Sequence, residues 1–206
     1  MAAFKIANVL EPDGTGTYDK LLAEVTQKTG ITFNIQVLPI ARARESYAQG
    51  RFDCLIPLDT VFEARHQDHL TSVPFYEANL YAITRKSDKL VQSIQELQSM
   101  TVAGELGVPY TPEIDALIKT NKNPTLAGAV RMLRASRVDA IVAYTPDIQE
   151  MIEHDHITDI HFDPNSPIAT YHDALTCRPT DTNLELLNKI NHALLEIFIA
   201  QEQLQN

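Results

Sequence analysis

The sequence predicts an α/β fold built as two similar lobes, and three observations predict it. Apolar strand-like runs alternate with segments of helical period along the 206 residues, the pattern of strand and helix units that cover a sheet. The stretch AQGRFDCLIP from Ala48 recurs as RASRVDAIVA from Arg134. Each copy is a helix end, a basic residue, a hydrophobe, an aspartate and an apolar strand, so Asp53 and Asp139 correspond, and two copies in two halves point to two lobes rather than one continuous sheet. Finally, a strand and a strong helix follow the second copy, and no Gly/Ser linker separates the halves. A chain that leaves the first lobe through LYAIT and returns through HDALTC accounts for this. Lobe 1 is then 1–84 with 173–206, and lobe 2 is 85–172. Two crossings make a hinge, and the cleft between the lobes is the expected ligand site.

The elements follow in order. FKIANVL (Phe4 to Leu10) reads as the first strand, and DGTGTY (Asp13 to Tyr18) as a turn, because it lacks both the Gly-Lys-Ser/Thr ending of a phosphate loop and the dinucleotide fingerprint. Tyr18, Leu21, Leu22 and Val25 recur at helical spacing and Gly30 stops them. TFNIQVL (Thr32 to Leu38), DCLIP closed by Pro57, and LYAIT are further strands. Leu126, Ala129, Val130 and Leu133 mark a helix, VDAIVAY (Val138 to Tyr144) and HDALTC (His172 to Cys177) mark strands. The last helix starts near Asp181 or Thr182 and sets Leu184, Leu187, Ile190, Leu194 and Phe198 on one face, which should pack on a sheet.

Composition narrows the function. A formal net charge of −10 argues against nucleic acid and anionic membrane surfaces as partners. Hydrophobic content of 44% is ordinary, and no apolar run approaches the roughly 18 residues of a membrane span. Met1-Ala-Ala lacks the basic and apolar regions of a signal peptide, so a cytosolic protein or the mature form of an exported one is expected. Cys54 and Cys177 are too few for a zinc ribbon or disulfide scaffold. Two buried free thiols are the expectation, with a bridge as the alternative.

The segment from Gly50 to Thr84 joins two strands through Arg65. An arginine just past the end of a parallel strand suits capture of an anionic small molecule, since its planar fork of donors matches a carboxylate. A surface arginine paired with Glu63 or Asp68 is the plainer alternative.

These residues resemble a known family, the type II periplasmic solute-binding proteins, and within it the family 3 group that includes polar amino-acid receptors. The carriers are TYDKLLAEVTQKTGITF (Thr17 to Phe33), GRFDCLIP, EARHQDHLTSVPFY (Glu63 to Tyr76), LYAITRK, VAGELG (Val102 to Gly107) and RVDAIVAY, in the family's order and spacing over nearly the whole length. LPIARARESYAQGRFD looks like a subset with Pro and Arg ahead of the first-lobe helix. The resemblance implies a two-lobed fold with a two-strand hinge, a periplasmic location for the mature chain, a monomer, and a membrane partner, either an ABC transporter or a sensor. It implies no cofactor and no metal. It places Arg65 where the ligand carboxylate is held, Thr60 where a hydroxyl joins it, and Tyr18 and Ile40 on the first-lobe side of the cleft.

In the second lobe the chain departs from the family pattern. Gly107 is followed by Val108 and Pro109 where hydroxyl residues are usual, although Tyr110 and Thr111 come next. Tyr144 ends VDAIVAY where amino-acid receptors carry the acid that holds the ligand ammonium. A desolvated ammonium without a carboxylate costs several kcal/mol, so this departure argues against an α-amino-acid ligand. Glu105, Glu11 or Asp59 is a candidate replacement from another direction. The alternative is an anionic ligand without an amine, with Arg42 as a second cation or, equally, as a helix-surface residue beside Arg44.

Other chemistry finds less support. EHDHITDIHFD (Glu153 to Asp163) gathers His154, His156 and His161 but reads as a polar connecting loop rather than a metal site. No nucleophile elbow is present, and neither cysteine has a histidine beside it in sequence. A receptor for a small polar, carboxylate-bearing solute is therefore expected. The enzymatic alternative is a prephenate or arogenate dehydratase-like activity on the same fold, with Glu105 or Asp59 as general acid.

Overall fold

Ala2–Phe4 open the sheet as strand β1, pairing in parallel with β2 (Gln36–Leu38) on one side and β3 (Cys54–Ile56) on the other. The computed structural model describes residues 1–58 and 69–205, and the chain divides into two units, Met1–Glu77 with His172–Asn206, and Ala78–Tyr171. In unit 1, helices α1 (Thr17–Thr29) and α2 (Ile40–Ala48) connect the three parallel strands. Two further strands, β4 (Leu70–Thr71) and β11 (Thr176–Cys177), complete a sheet of order β2-β1-β3-β11-β4 among the described residues, with β11 antiparallel to both its neighbours.

The first strand is shorter than the apolar run FKIANVL suggests. After Phe4 the chain turns: the amides of Val9 and Leu10 donate to the Ile6 carbonyl at 3.1 and 2.8 Å, and Asn8 sits at φ 63. Asparagine tolerates this left-handed geometry. Val9 and Leu10 are apolar because they are buried beneath α1, not because they form a strand. The turn returns to α1 at Gly16, where a Cβ would lie 2.3 Å from the Val9 carbonyl oxygen, so the approach of the two backbones requires glycine. Asp19 accepts from the amides of Gly16 and Glu11 at 3.0 and 2.9 Å and satisfies donors at the helix start.

Helix α7 (Asp181–Gln205) begins as its sequence suggests, with the Thr180 hydroxyl accepting from the Asn183 amide at 3.2 Å. Its buried face is Leu187, Ile190, Leu194 and Ile197, packed with Val9, Leu22 and Val25. Leu184 does not belong to it: it is 47% exposed, because Asn183 takes the inward position one residue earlier and bonds the Arg178 carbonyl at 2.9 Å.

The free-thiol expectation is wrong. Cys54 and Cys177 are directly opposite in the β3–β11 ladder and form a disulfide, Cα to Cα 4.0 Å across 123 residues of sequence. The adjacent pair is hydrogen-bonded, the Arg178 amide donating to the Asp53 carbonyl at 2.8 Å. The cysteines thus occupy a non-hydrogen-bonded position, where Cα atoms stand closest and side chains face each other.

Unit 2 repeats the plan. β6 (Val102–Glu105) pairs in parallel with β7 (Lys122–Asn123) and β8 (Ala140–Tyr144), and the connections carry α4 (Pro112–Leu117) and α5 (Leu126–Arg134). β5 (Tyr76–Arg85), most of which belongs to this unit, runs antiparallel to β8, and β10 (Ala169–Asp173) flanks it, giving the order β10-β5-β8-β6-β7 with β9 (Ile160–His161) paired to β5. A short helix α3 (Ile94–Leu97) follows β5 and α6 (Asp147–His154) follows β8. Leu126, Ala129, Val130 and Leu133 of α5 pack on Ala103, Ile83 and Ile141 of the sheet. Arg85 donates to the carbonyls of Leu133 and Val138 at 2.9 and 2.8 Å and pairs with Asp88 at 2.7 Å, holding the end of α5.

The two aspartates of the sequence repeat stand at the same point of both units, between the second helix and the third strand. Asp139 accepts from the amide of Thr101, just before β6, at 2.8 Å, and Asp53 interacts electrostatically with the amino group of Met1, just before β1. HDALTC is not one strand: β10 ends at Asp173, Ala174 and Leu175 pass buried between, and β11 begins at Thr176 in the other sheet. The histidine segment is likewise not all loop, since His154 closes α6 and His161 lies in β9. Among the described residues no helix is long and apolar enough to cross a membrane.

Candidate functional site

Each unit has one topological switch point. From β1 the chain goes out to β2 on one side and then to β3 on the other, and from β6 it goes to β7 and then to β8. In open α/β sheets the crevice outside the carboxyl ends of the two strands flanking such a reversal is where ligands bind, because the connecting loops part there. Those ends are Phe4 and Ile56 in unit 1, and Glu105 and Tyr144 in unit 2.

In unit 1, β3 leads through Pro57 and Leu58 toward Asp59, Thr60 and Arg65, which lie outside the described residues. Tyr18 is buried, its hydroxyl donating to Asp173 at 2.6 Å, with Phe75 edge-on at 5.1 Å and Tyr76 tilted at 5.9 Å. Ile40 is buried at the first turn of α2, and Arg42 is exposed on the same helix. Glu11 accepts from the Asn8 amide at 2.9 Å, which assigns it to the turn after β1.

In unit 2 the structure brings Glu105, Val108, Tyr110 and Tyr144 to one edge. The Glu105 amide donates to the Tyr110 hydroxyl at 3.0 Å. Gly104 leaves room for that hydroxyl, since a Cβ there would lie 3.1 Å from it and 2.8 Å from Ile118 Cδ1. The Tyr144 hydroxyl donates to the Pro109 carbonyl at 2.9 Å and ties the loop after β6 to the end of β8. The rings of Tyr110 and Tyr144 lie nearly parallel, 14° apart with centroids at 5.9 Å, and Tyr171 of β10 stands edge-on to Tyr144 at 5.2 Å.

Burial pushes the Glu105 carboxyl up to about 7, against the lowering effect of the Leu126 amide that donates to it. Burial also raises the Tyr110 phenol far above its ordinary value, with the charges of Glu105, Asp147 and Asp115 adding to the effect, so it stays protonated. Tyr171 and Asp173 were not singled out from sequence. The alternation of Ala169 and Tyr171 with Thr170 and His172 was the available signal, and β10 buries Tyr171 accordingly. Among the described residues no group of three or more His, Cys, Asp or Glu could hold a metal ion.

No family model and no curated protein matches the chain. Solved structures do. The chain is similar to the GluR0 ligand-binding core from Nostoc punctiforme in complex with L-glutamate, at TM-score 0.78 and 16% identity over 97% of this chain and 92% of that one. It is similar to an ABC uptake transporter substrate binding protein from Streptococcus pneumoniae with bound histidine, at 0.75 and 20% over 96% and 85%. It is also similar to a mutant of arginine-bound ArgBP from T. maritima, at 0.72 and 18% over 95% and 94%. At these identities the likeness establishes the fold: the chain has the α/β architecture of the type II periplasmic binding proteins.

Proposed function

We propose that this chain is a non-enzymatic extracytoplasmic solute-binding protein that captures a small polar solute through a carboxylate and delivers or signals it to a membrane partner. The observation that carries the proposal is the duplicated topology, which gives each unit a switch point at the carboxyl ends of its parallel strands; in the sequence, Asp59, Thr60 and Arg65 come soon after the end of β3. In this reading Arg65 makes a bidentate, charge-assisted contact to the carboxylate and Thr60 adds a hydroxyl. Three similar structures hold glutamate, histidine and arginine, each a carboxylate. The buried Cys54–Cys177 disulfide suits an oxidising compartment such as the periplasm. The proposal needs neither metal nor cofactor and treats the protein as a monomer.

A thermal-shift screen of amino acids, dicarboxylates and aromatic acids tests it, because a solute that binds only the native state raises the melting temperature. At least one carboxylate should do so and be recovered unchanged. A flat response to every class contradicts the proposal. The observation favouring the enzymatic alternative is Glu105, whose raised pKa of about 7 suits a general acid. Turnover of a cyclohexadienyl acid, lost in Glu105→Gln, would decide for it.

A further inference from the structure

We propose that unit 2 takes an uncharged planar ring laid on Tyr144, which makes its ligand an aromatic or similarly unsaturated cyclic carboxylate without an α-ammonium group. The inference rests on the solute-binding reading above and adds the ligand's class.

Position comes first. Tyr144 is the last residue of β8 and Val108–Tyr110 follow β6, so they flank the switch point of the unit 2 sheet. Of the three tyrosines gathered there, Tyr110 and Tyr171 are buried at 4% and 5% exposure, and only Tyr144 is less than fully buried. Its ring is held in place from three directions: the hydroxyl on the Pro109 carbonyl, Tyr110 nearly parallel, and Tyr171 edge-on. A ring fixed in this way offers a flat surface at little entropic cost, and aromatic partners stack on such surfaces.

The loop beside it, Leu106 to Thr111, carries no charged side chain. Leu106 is half exposed, Val108 and Pro109 are partly buried, Pro109 has no N–H, and its carbonyl already accepts from Tyr144. An anionic group is opposed by the charges of Asp147 and Asp115, which act on Tyr110, and Lys122 nearby is paired with Asp115 at 2.8 Å. A primary ammonium needs an acceptor for each N–H. Glu105 is a weak counter-ion for it, since its carboxyl accepts from the Leu126 amide and burial favours its neutral form. A quaternary ammonium needs several presented ring faces, and two of these three rings are buried. A neutral ring needs only the surface that is there.

Isothermal titration of the whole protein tests this with benzoate, phenylacetate, cyclohexanecarboxylate, succinate, L-phenylalanine and glycine betaine as probes. The two aromatic acids should bind about tenfold or more tighter than the saturated, aliphatic, amino-acid and betaine probes. Tyr144→Phe, which keeps the ring, should hold affinity for the aromatic acids within about threefold, while Tyr144→Leu should lose about tenfold or more. Circular dichroism confirms that each variant is folded, and Tyr144→Met replaces Tyr144→Leu if the latter is not. Tighter binding of succinate, L-phenylalanine or glycine betaine overturns this inference and leaves the solute-binding reading standing, as does unchanged aromatic-acid affinity without the ring. Failure of every probe overturns this inference, and the thermal-shift screen above decides the solute-binding reading separately.

Discussion

Replacing Cys54 and Cys177 together by alanine should reveal how strongly one cross-strand bond holds unit 1. The bond closes a loop of 123 residues that contains all of unit 2. In the chain-entropy account, a loop of that length costs the denatured state about 5 kcal/mol at 25 °C. If unit 2 stays folded while unit 1 opens, the flexible part of the loop shrinks to roughly 30 residues and the cost to about 3.5 kcal/mol. β5 and β10, by which the chain enters and leaves unit 2, are neighbours in its sheet, so a folded unit 2 short-circuits the loop. Alanine leaves no unsatisfied polar group at these buried positions, although the space vacated by the two sulfurs adds a packing loss to the loop effect. Urea unfolding of the oxidised protein and the double variant measures the loss, and the number of transitions shows which case holds. A loss of 3 to 5 kcal/mol is expected; a loss below about 1 kcal/mol would refute the reasoning. Reduction of the wild-type protein should need unfolding, because both sulfurs are buried.

Three more outcomes follow from the same structure. Glu105 is an acid whose folded pKa is raised to about 7 from 4.5, so the folded state binds its proton more tightly and stability falls as pH rises between those values. Glu105→Gln should therefore match the wild type near pH 4 and exceed it by about 3 kcal/mol near pH 8 in urea unfolding, and parallel pH profiles would exclude this. Tyr18→Phe removes the 2.6 Å hydrogen bond to Asp173 and should cost about 1.5 to 3 kcal/mol in urea unfolding, and unchanged stability would contradict this. Gly16→Ala drives a Cβ into the Val9 carbonyl and should destabilise by about 1 to 3 kcal/mol, whereas a neutral result would mean the turn after β1 can yield.

Much of the fold was legible because helices α1, α5 and α7 carry their burial as a local period, because strand β8 is one continuous apolar run, and because Asp53 and Asp139 mark one repeated corner. What was hidden depends on pairings between distant segments. The disulfide follows from the register of β11 on β3, which no spacing of two cysteines encodes. FKIANVL and HDALTC read as single strands because buried turns are as apolar as strands, and only the hydrogen bonds around Asn8 and Leu175 separate the two. Leu184 fell on the wrong side because an inward asparagine, not a leucine, starts the buried face of α7. At the candidate site, Glu105, Val108, Tyr110 and Tyr144 were recognisable one by one through their departures from a familiar pattern. Their clustering with Tyr171 needed the β6–β8 pairing and the return of β10.

The central claim is that Arg65 supplies the charge that holds a carboxylate solute. Titration calorimetry of the wild type and Arg65→Ala with the carboxylate that gives the largest thermal shift tests it most directly. A loss of about 2 to 5 kcal/mol in binding is expected, with Arg65→Lys recovering only part of it, since an ammonium lacks the bidentate fork. Equal affinity in the wild type and Arg65→Ala would contradict it.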